Sequence, residues 1–181
     1  MTTDEDLLGR IRGGSRAAFE NLFERYREPI WRFFHRRTAD AARAEELAQD
    51  TFVAVLEGAA RYEGRGSVRS YLFGTAYNVL LAHRRKAAFR AARPLDDDPL
   101  DPDASDPNPA IWVRQALAGL DEDDREILML REYEQLSYQE IADLRNIPLN
   151  TVRSQLFRAR AALRAALEAR TPQAARTSHG H

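Results

Sequence analysis

Cysteine is absent from the 181 residues, and lysine occurs once against 26 arginines. The first absence excludes disulfides, thiol nucleophiles and cysteine-ligated zinc, and it fits a reducing compartment. No apolar run approaches the roughly 20 residues that a membrane span needs. The opening stretch MTTDEDLLGR is acidic and has no apolar centre, so it does not read as a signal peptide. These absences predict a cytoplasmic protein without membrane insertion. Phosphate-cradling glycine loops, nucleophile elbows and HExxH motifs are missing too. The four histidines, His35, His83, His179 and His181, stand in no metal-ligand spacing with carboxylates. The expectation is no catalysis, no metal and no cofactor.

Excess positive charge is also missing, although it usually marks a nucleic-acid binder. The chain carries 27 Lys+Arg against 28 Asp+Glu, a formal net charge of −1. That balance hides a sorted pattern. Residues 60–93 hold 8 basic groups and 1 acidic, and residues 145–170 hold 6 and 1. Between them, residues 121–144 hold 9 acidic groups and 2 basic. A phosphate backbone responds to the local field, because salt screens charges beyond about 10 Å. Residues 94–108 hold six aspartates, four prolines and no aromatic side chain. Such a segment buries too little surface to offset its ordering entropy, and it reads as a flexible acidic linker.

Helical periodicity dominates on both sides of this linker, and strand signals are nearly absent. The predicted fold is all-α: two small helical domains, residues 5–93 and 109–170, with a disordered tail at 171–181. In the first, Ser15 caps a helix through Arg37 that turns Phe19, Leu22, Phe23, Tyr26, Ile30, Phe33 and Phe34 inward and bends at Pro29. A second helix over about 41–60 turns Leu47, Ala48, Phe52, Val55 and Leu56 inward. Its other face shows Glu45, Glu46, Gln49 and Asp50. After the loop YEGRGS (62–67), a helix over 68–86 buries Leu72, Ala76, Val79 and Leu80 and ends in Arg84, Arg85 and Lys86.

The second domain opens with a short helix over 109–120, and Asp121 caps the next. Ser137 and Glu140 then form a capping box for a helix over 138–144, which packs Ile141, Ala142 and Leu144. Asn146 suits a left-handed turn, and Pro148 suits the start of the final helix. That helix puts Val152, Leu156, Ala159, Leu163 and Leu167 on one face. Helix, tight turn and helix make helix-turn-helix spacing, in which the second helix lies in the major groove. Asn150, Thr151, Arg153, Ser154 and Gln155 then stand at base edges, and Arg158 and Arg160 suit phosphates. The competing reading is a structural hairpin with a solvated arginine face.

Three blocks carry a resemblance: AFENLFERYREPIWRFF (18–34), AEELAQDTFVAVLEGAARYEGRGSVRSYLFGTAYNVLLAHRR (44–85) and ALAGLDEDDREILMLREYEQLSYQEIADLRNIPLNTVRSQLFRARAAL (116–163). In this order the chain resembles a bacterial RNA polymerase sigma factor of the extracytoplasmic-function group, which keeps two domains called region 2 and region 4. The resemblance implies a transcription initiation factor with core RNA polymerase and promoter DNA as partners. An anti-sigma factor is a further partner common in the group. It implies that Glu46, Gln49 and Asp50 dock on the polymerase. Arg65, Arg69, Tyr71, Asn78, His83, Arg84 and Arg85 would open and read the −10 element, where single strands suit basic grooves with aromatic or amide contacts. Tyr71 reads equally as core or as a stacking platform. Asn150, Thr151, Arg153, Ser154, Gln155, Arg158 and Arg160 would read the −35 duplex.

The chain departs from the common pattern Ser-Arg-Leu-His, having Ser154-Gln155-Leu156-Phe157 instead. Glutamine pairs best with adenine, arginine with guanine, so residue 155 is expected to prefer a different base. Two other readings compete. A stand-alone helix-turn-helix regulator would need its own dimer surface, and a sigma-like decoy would not need the arginines at 84, 85, 153, 158 and 160.

Overall fold

The computed structural model describes residues 2–64, 66–91 and 109–170. The chain divides into two compact units, Met1–Asp97 and Asp98–His181. Arg65, the acidic segment 94–108 and the tail 171–181 lie outside the described residues. Every regular element among the described residues is helical, and none of these helices is long and apolar enough to cross a membrane.

The first unit begins with a helix that the sequence reading did not anticipate, α1 (Asp4–Arg12). Thr3 and Asp6 form a capping box, and Asp4, Glu5 and Asp6 lie at the positive end of the helix dipole. Leu7, Leu8 and Ile11 are buried. Asp4 fastens the helix from outside, accepting hydrogen bonds from Tyr26 Oη at 2.5 Å and Arg25 Nη1 at 2.7 Å. The signal was present as Thr-x-x-Asp before two leucines, but the acidic surroundings masked it.

Ser15 caps α2 (Arg16–Thr38), which continues through Pro29 and ends on left-handed Ala39. Leu22, Ile30, Phe33 and Phe34 are fully buried, whereas Phe19 and Phe23, expected inside, are half-buried. Asp40 caps α3 (Ala41–Gly58), which buries Ala44, Leu47, Ala48, Phe52 and Val55. Leu56, expected inside, is instead 49% exposed. At about 100° per residue it falls in the direction of Glu45 and Gln49, on the outer face. A 3-10 turn, Ala59–Arg61, leads to the loop and to α4 (Val68–Ala91), which runs five residues past the expected end. Its core face is Val68, Leu72, Phe73, Ala76, Tyr77 and Leu80, and Val79 is only half-buried. Phe73 and Tyr77 roll the helix so that Val79 lies at its edge.

The second unit holds α5 (Pro109–Ala118), α6 (Glu122–Glu132), α7 (Tyr138–Arg145) and α8 (Leu149–Arg170). Asp121 takes the cap position of α6 but makes no side-chain cap bond among the described residues. The capping box of α7 is complete, with Ser137 Oγ accepting from Glu140 N at 3.1 Å and Glu140 Oε2 accepting from Ser137 N at 2.8 Å. Asn146 ends α7 in the left-handed region at φ 53°, and Ile147 N donates back to Ala142 O at 3.0 Å. Val152, Leu156 and Ala159 of α8 are buried, while Leu144, Leu163 and Leu167 are half-buried.

Replacing Leu7 by alanine tests whether α1 belongs to the core. The expected cost is about 2–5 kcal/mol in chemical denaturation of the full chain. A cost below about 0.5 kcal/mol, typical of surface substitutions, would mean that α1 frays.

Candidate nucleic-acid interface

The turn at Asn146 and the buried stripe of α8 fix which side of α8 faces outward. At about 100° per residue, Asn150, Arg153, Ser154, Phe157, Ala161 and Arg164 share one arc, and all are exposed. Arg153 Nη1 donates to Asn150 Oδ1 at 3.1 Å, and Ser154 Oγ donates to Thr151 O at 3.0 Å. Thr151 sits at the flank and Gln155 further round beside buried Ala159, and both are half-buried. The Gln155 Oε1 atom is enclosed and has no hydrogen-bond partner among the described residues.

Arg158 and Arg160 occupy a different setting. Arg158 donates to both carboxylate oxygens of Asp124, at 2.7 and 3.2 Å. Asp124 is only 4% exposed, while the Arg158 side chain remains 63% exposed. The hydrogen bond to Asp124, and then its charge, raises the Arg158 pKa. Arg160 donates to Glu132 Oε1 at 2.7 and 3.2 Å and to Tyr138 Oη at 3.2 Å. Arg145 pairs with Asp123. The acidic helix α6 therefore holds one arginine of α7 and two of α8.

In the first unit, Arg69 is half-buried, with its guanidinium 4.8 Å from the Phe73 ring centre. Tyr71 packs at the base of the loop, its ring 4.7 Å from that of Tyr62 and its hydroxyl 3.4 Å from Val55 O. Gly58 makes this possible, since a Cβ there would meet the Tyr71 hydroxyl at 2.5 Å. Tyr62 Oη donates to Gly66 O at 2.9 Å and ties the loop. Burial raises the Tyr71 pKa above its ordinary value. His83 is half-buried, and burial followed by the charge of Arg43 lowers its pKa. Arg84 is half-buried, and Asn78 and Arg85 are exposed. Asn78 and Arg85 share their side of α4 with Phe89, which is 85% exposed and was missed by the sequence reading.

On α3, Glu46, Gln49 and Asp50 are all exposed. Glu46 pairs with Arg43 at 2.6 Å, and Gln49 donates to Glu45 at 3.0 Å. Val53 and Leu56 continue this face at helical spacing and are 56% and 49% exposed. The polar patch thus has an apolar strip beside it. Phe52 borders it, its ring 4.8 Å from Phe23 and 6.5 Å from Phe19. Among the described residues no group of three or more His, Asp or Glu is placed to hold a metal.

Residues 22–90 match the family described as Sigma-70 region 2, and residues 110–163 match Sigma-70, region 4. The RNA polymerase sigma-H factor of Pseudomonas aeruginosa is 32% identical, over 91% of this chain and 94% of that protein. The chain belongs to the sigma-70 family. The extracytoplasmic-function sigma factor SigC of Mycobacterium tuberculosis is 31% identical, over 89% of each chain. The sigma factor YlaC of Bacillus subtilis is 32% identical, over 82% of this chain and 91% of its own. The solved structure of CnrH in complex with the cytosolic domain of CnrY shares the fold, with a TM-score of 0.70 at 23% identity over 93% of this chain and 99% of that one. This sigma factor is of the extracytoplasmic-function group. It is a transcription initiation factor that directs core RNA polymerase to promoters, and it is not an enzyme.

The pairing of Asp124 with Arg158 is open to direct test. Asp124→Asn and Arg158→Gln are each expected to lower the thermal midpoint by about 2–4 °C. The double variant should fall little further, because both remove one interaction. Additive losses would show that the pair is not coupled.

Proposed function

We propose that the two units of this sigma factor divide promoter recognition. The first unit, residues 5–93, binds core polymerase and opens the −10 element. The second, residues 109–170, reads the −35 duplex. The observation that carries this reading is the second helix of the helix-turn-helix. The Ser137–Glu140 box and Asn146 set α8 so that Asn150, Arg153 and Ser154 face outward together. Thr151 flanks this surface, Gln155 lies further round beside the buried stripe, and Arg158 and Arg160 lie along the edge with their phosphate-binding role shared with α6.

In the first unit the docking face is Glu46, Gln49 and Asp50, extended by Val53 and Leu56. Polar groups beside an unpartnered apolar strip have the make-up of a protein interface. The −10 role is assigned to Arg65 of the loop, to Arg69, His83 and Arg84 on one side of α4, and to Asn78 and Arg85 on the other. Tyr71 supports it from behind, because its ring is taken up by Tyr62. The site of action in this reading is the cytoplasm, where core polymerase and promoters are. An anti-sigma factor is included as a further partner. RpoE of Bartonella quintana, which shares the fold at a TM-score of 0.67, was solved with the anti-sigma factor NepR. A co-purifying protein that suppresses transcription by the holoenzyme would support that partner, and its absence from such preparations would count against it.

Run-off transcription with purified core polymerase tests the reading. Specific transcripts are expected only when the chain is added. DNA binding without core would favour a stand-alone regulator, and activity in neither assay would favour a decoy. Alanine at Glu46, Gln49 and Asp50 together, or Val53→Asp alone, should weaken core association by about tenfold, equivalent to 1.4 kcal/mol. Unchanged affinity in both would move the docking face elsewhere.

A further inference from the structure

Phe157 is 79% exposed in the middle of the outward arc of α8. It stands seven residues from Asn150, four from Arg153 and three from Ser154, spacings that stack side chains on one helix face. Ala161 and Arg164 follow it along the same arc and are exposed. Elsewhere in α8 the apolar stripe Val152, Leu156 and Ala159 is fully buried. Phe157 is therefore the one large apolar side chain on this face of α8. The core of a protein-docking face is depleted of charged side chains. Apart from the small Ala161, the neighbours of Phe157 on the arc are amide, hydroxyl and guanidinium groups, among them Arg153 and Arg164, neither of which pairs with α6. That make-up complements a phosphate-lined groove.

A phenyl ring can neither donate to nor accept from a base edge. In the major groove the apolar group on offer is the 5-methyl of thymine. Gln155, the other departure from the common pattern, lies about 160° around the helix from Phe157. Its Oε1 is enclosed, so it offers the solvent side at most one end of its amide. A bidentate adenine contact needs both ends.

We propose that Phe157 is a specificity-determining residue that reads a thymine in the −35 element by packing on its 5-methyl group. This rests on the reading of α8 as a major-groove helix. It assigns to Phe157 a larger part of base selection than to Gln155.

The test uses holoenzyme assembled from the full chain and core polymerase. Promoters are first selected from a randomised −35 library, and run-off transcription on them confirms that the chain acts through core. Each thymine of the selected element is then replaced by deoxyuridine, which removes only the methyl group. At one or two adjacent positions, deoxyuridine is expected to weaken wild-type binding about fourfold, the equivalent of one buried methyl. Phe157→Ala and Phe157→His should bind thymine and deoxyuridine templates equally at those positions, because the partner of the methyl is gone.

A selected element without thymine overturns the proposal. So does a deoxyuridine penalty that survives both variants, or no penalty anywhere. In each of those cases run-off transcription persists, so the sigma reading stands. Loss of run-off by the wild-type chain would instead be the failure of that reading. Repeating the selection with Gln155→Arg separates the two residues: a logo that changes there more than with Phe157→Ala would return base selection to residue 155.

Discussion

A carboxylate buried away from water must be matched by a cation or lose its charge. Asp124, at 4% exposure, is matched by two hydrogen bonds from Arg158, a residue 34 positions later in the chain. This exchange fixes the roll of α8. Burying Val152, Leu156 and Ala159 sets the helix on the core, but an apolar stripe tolerates some rotation, whereas a two-pronged guanidinium does not. Arg160 of α8 on Glu132 and Arg145 of α7 on Asp123 add two more charge pairs to α6, both on exposed carboxylates. With the roll fixed, Asn150, Arg153, Ser154 and Phe157 are presented together. Part of the acidity of residues 121–144, which seemed at odds with DNA binding, is counter-charge: Asp124 and Glu132 each hold an arginine of α8.

The first unit uses the same exchange on a smaller scale. Asp4 receives both the Arg25 guanidinium and the Tyr26 hydroxyl, and thereby closes α1 over α2. Desolvation and the bond to Asp4 both push the Tyr26 pKa well above its ordinary value. The hydroxyl stays protonated, as a donor to Asp4 must. Beyond this clamp, the loop before α4 is anchored by aromatic packing rather than charge. Tyr62 holds Gly66 O while its ring rests on Tyr71, whose hydroxyl enters the space left open by Gly58. The basic helix α4 is thus tethered at its start and exposes Asn78, Arg85 and Phe89 further along.

What the sequence disclosed was local. Ser137, Glu140 and Asn146 could be placed because caps and left-handed turns are decided within three or four residues. The core stripes of α2, α3 and α8 followed from periodicity in the same way. Errors arose where a third element decides. Leu56 and Val79 have the right residue type, but the roll of their helices turns them outward or to an edge. Phe73 and Tyr77 took the core positions instead. At the candidate site, the residue types on α8 were legible and their directions were not. Arg153 and Arg158 both read as DNA-contacting in sequence, yet one bonds only within its own helix and the other clasps a buried carboxylate.

This division of labour among the arginines bears on how a sigma factor must work. Affinity for duplex DNA grows with the number of phosphates neutralised. Three arginines of the second unit already share their charge with α6, so the unit has less to offer a phosphate backbone than its composition suggests. Weak affinity for duplex is useful in a protein meant to act only with polymerase, because tight independent binding would occupy promoters without initiating. The required selectivity then falls to base-edge contacts, which discriminate without adding much sequence-independent attraction. An exposed phenylalanine fits that demand well. It adds no charge, contributes nothing to binding an arbitrary phosphate, and is rewarded where a methyl group meets it.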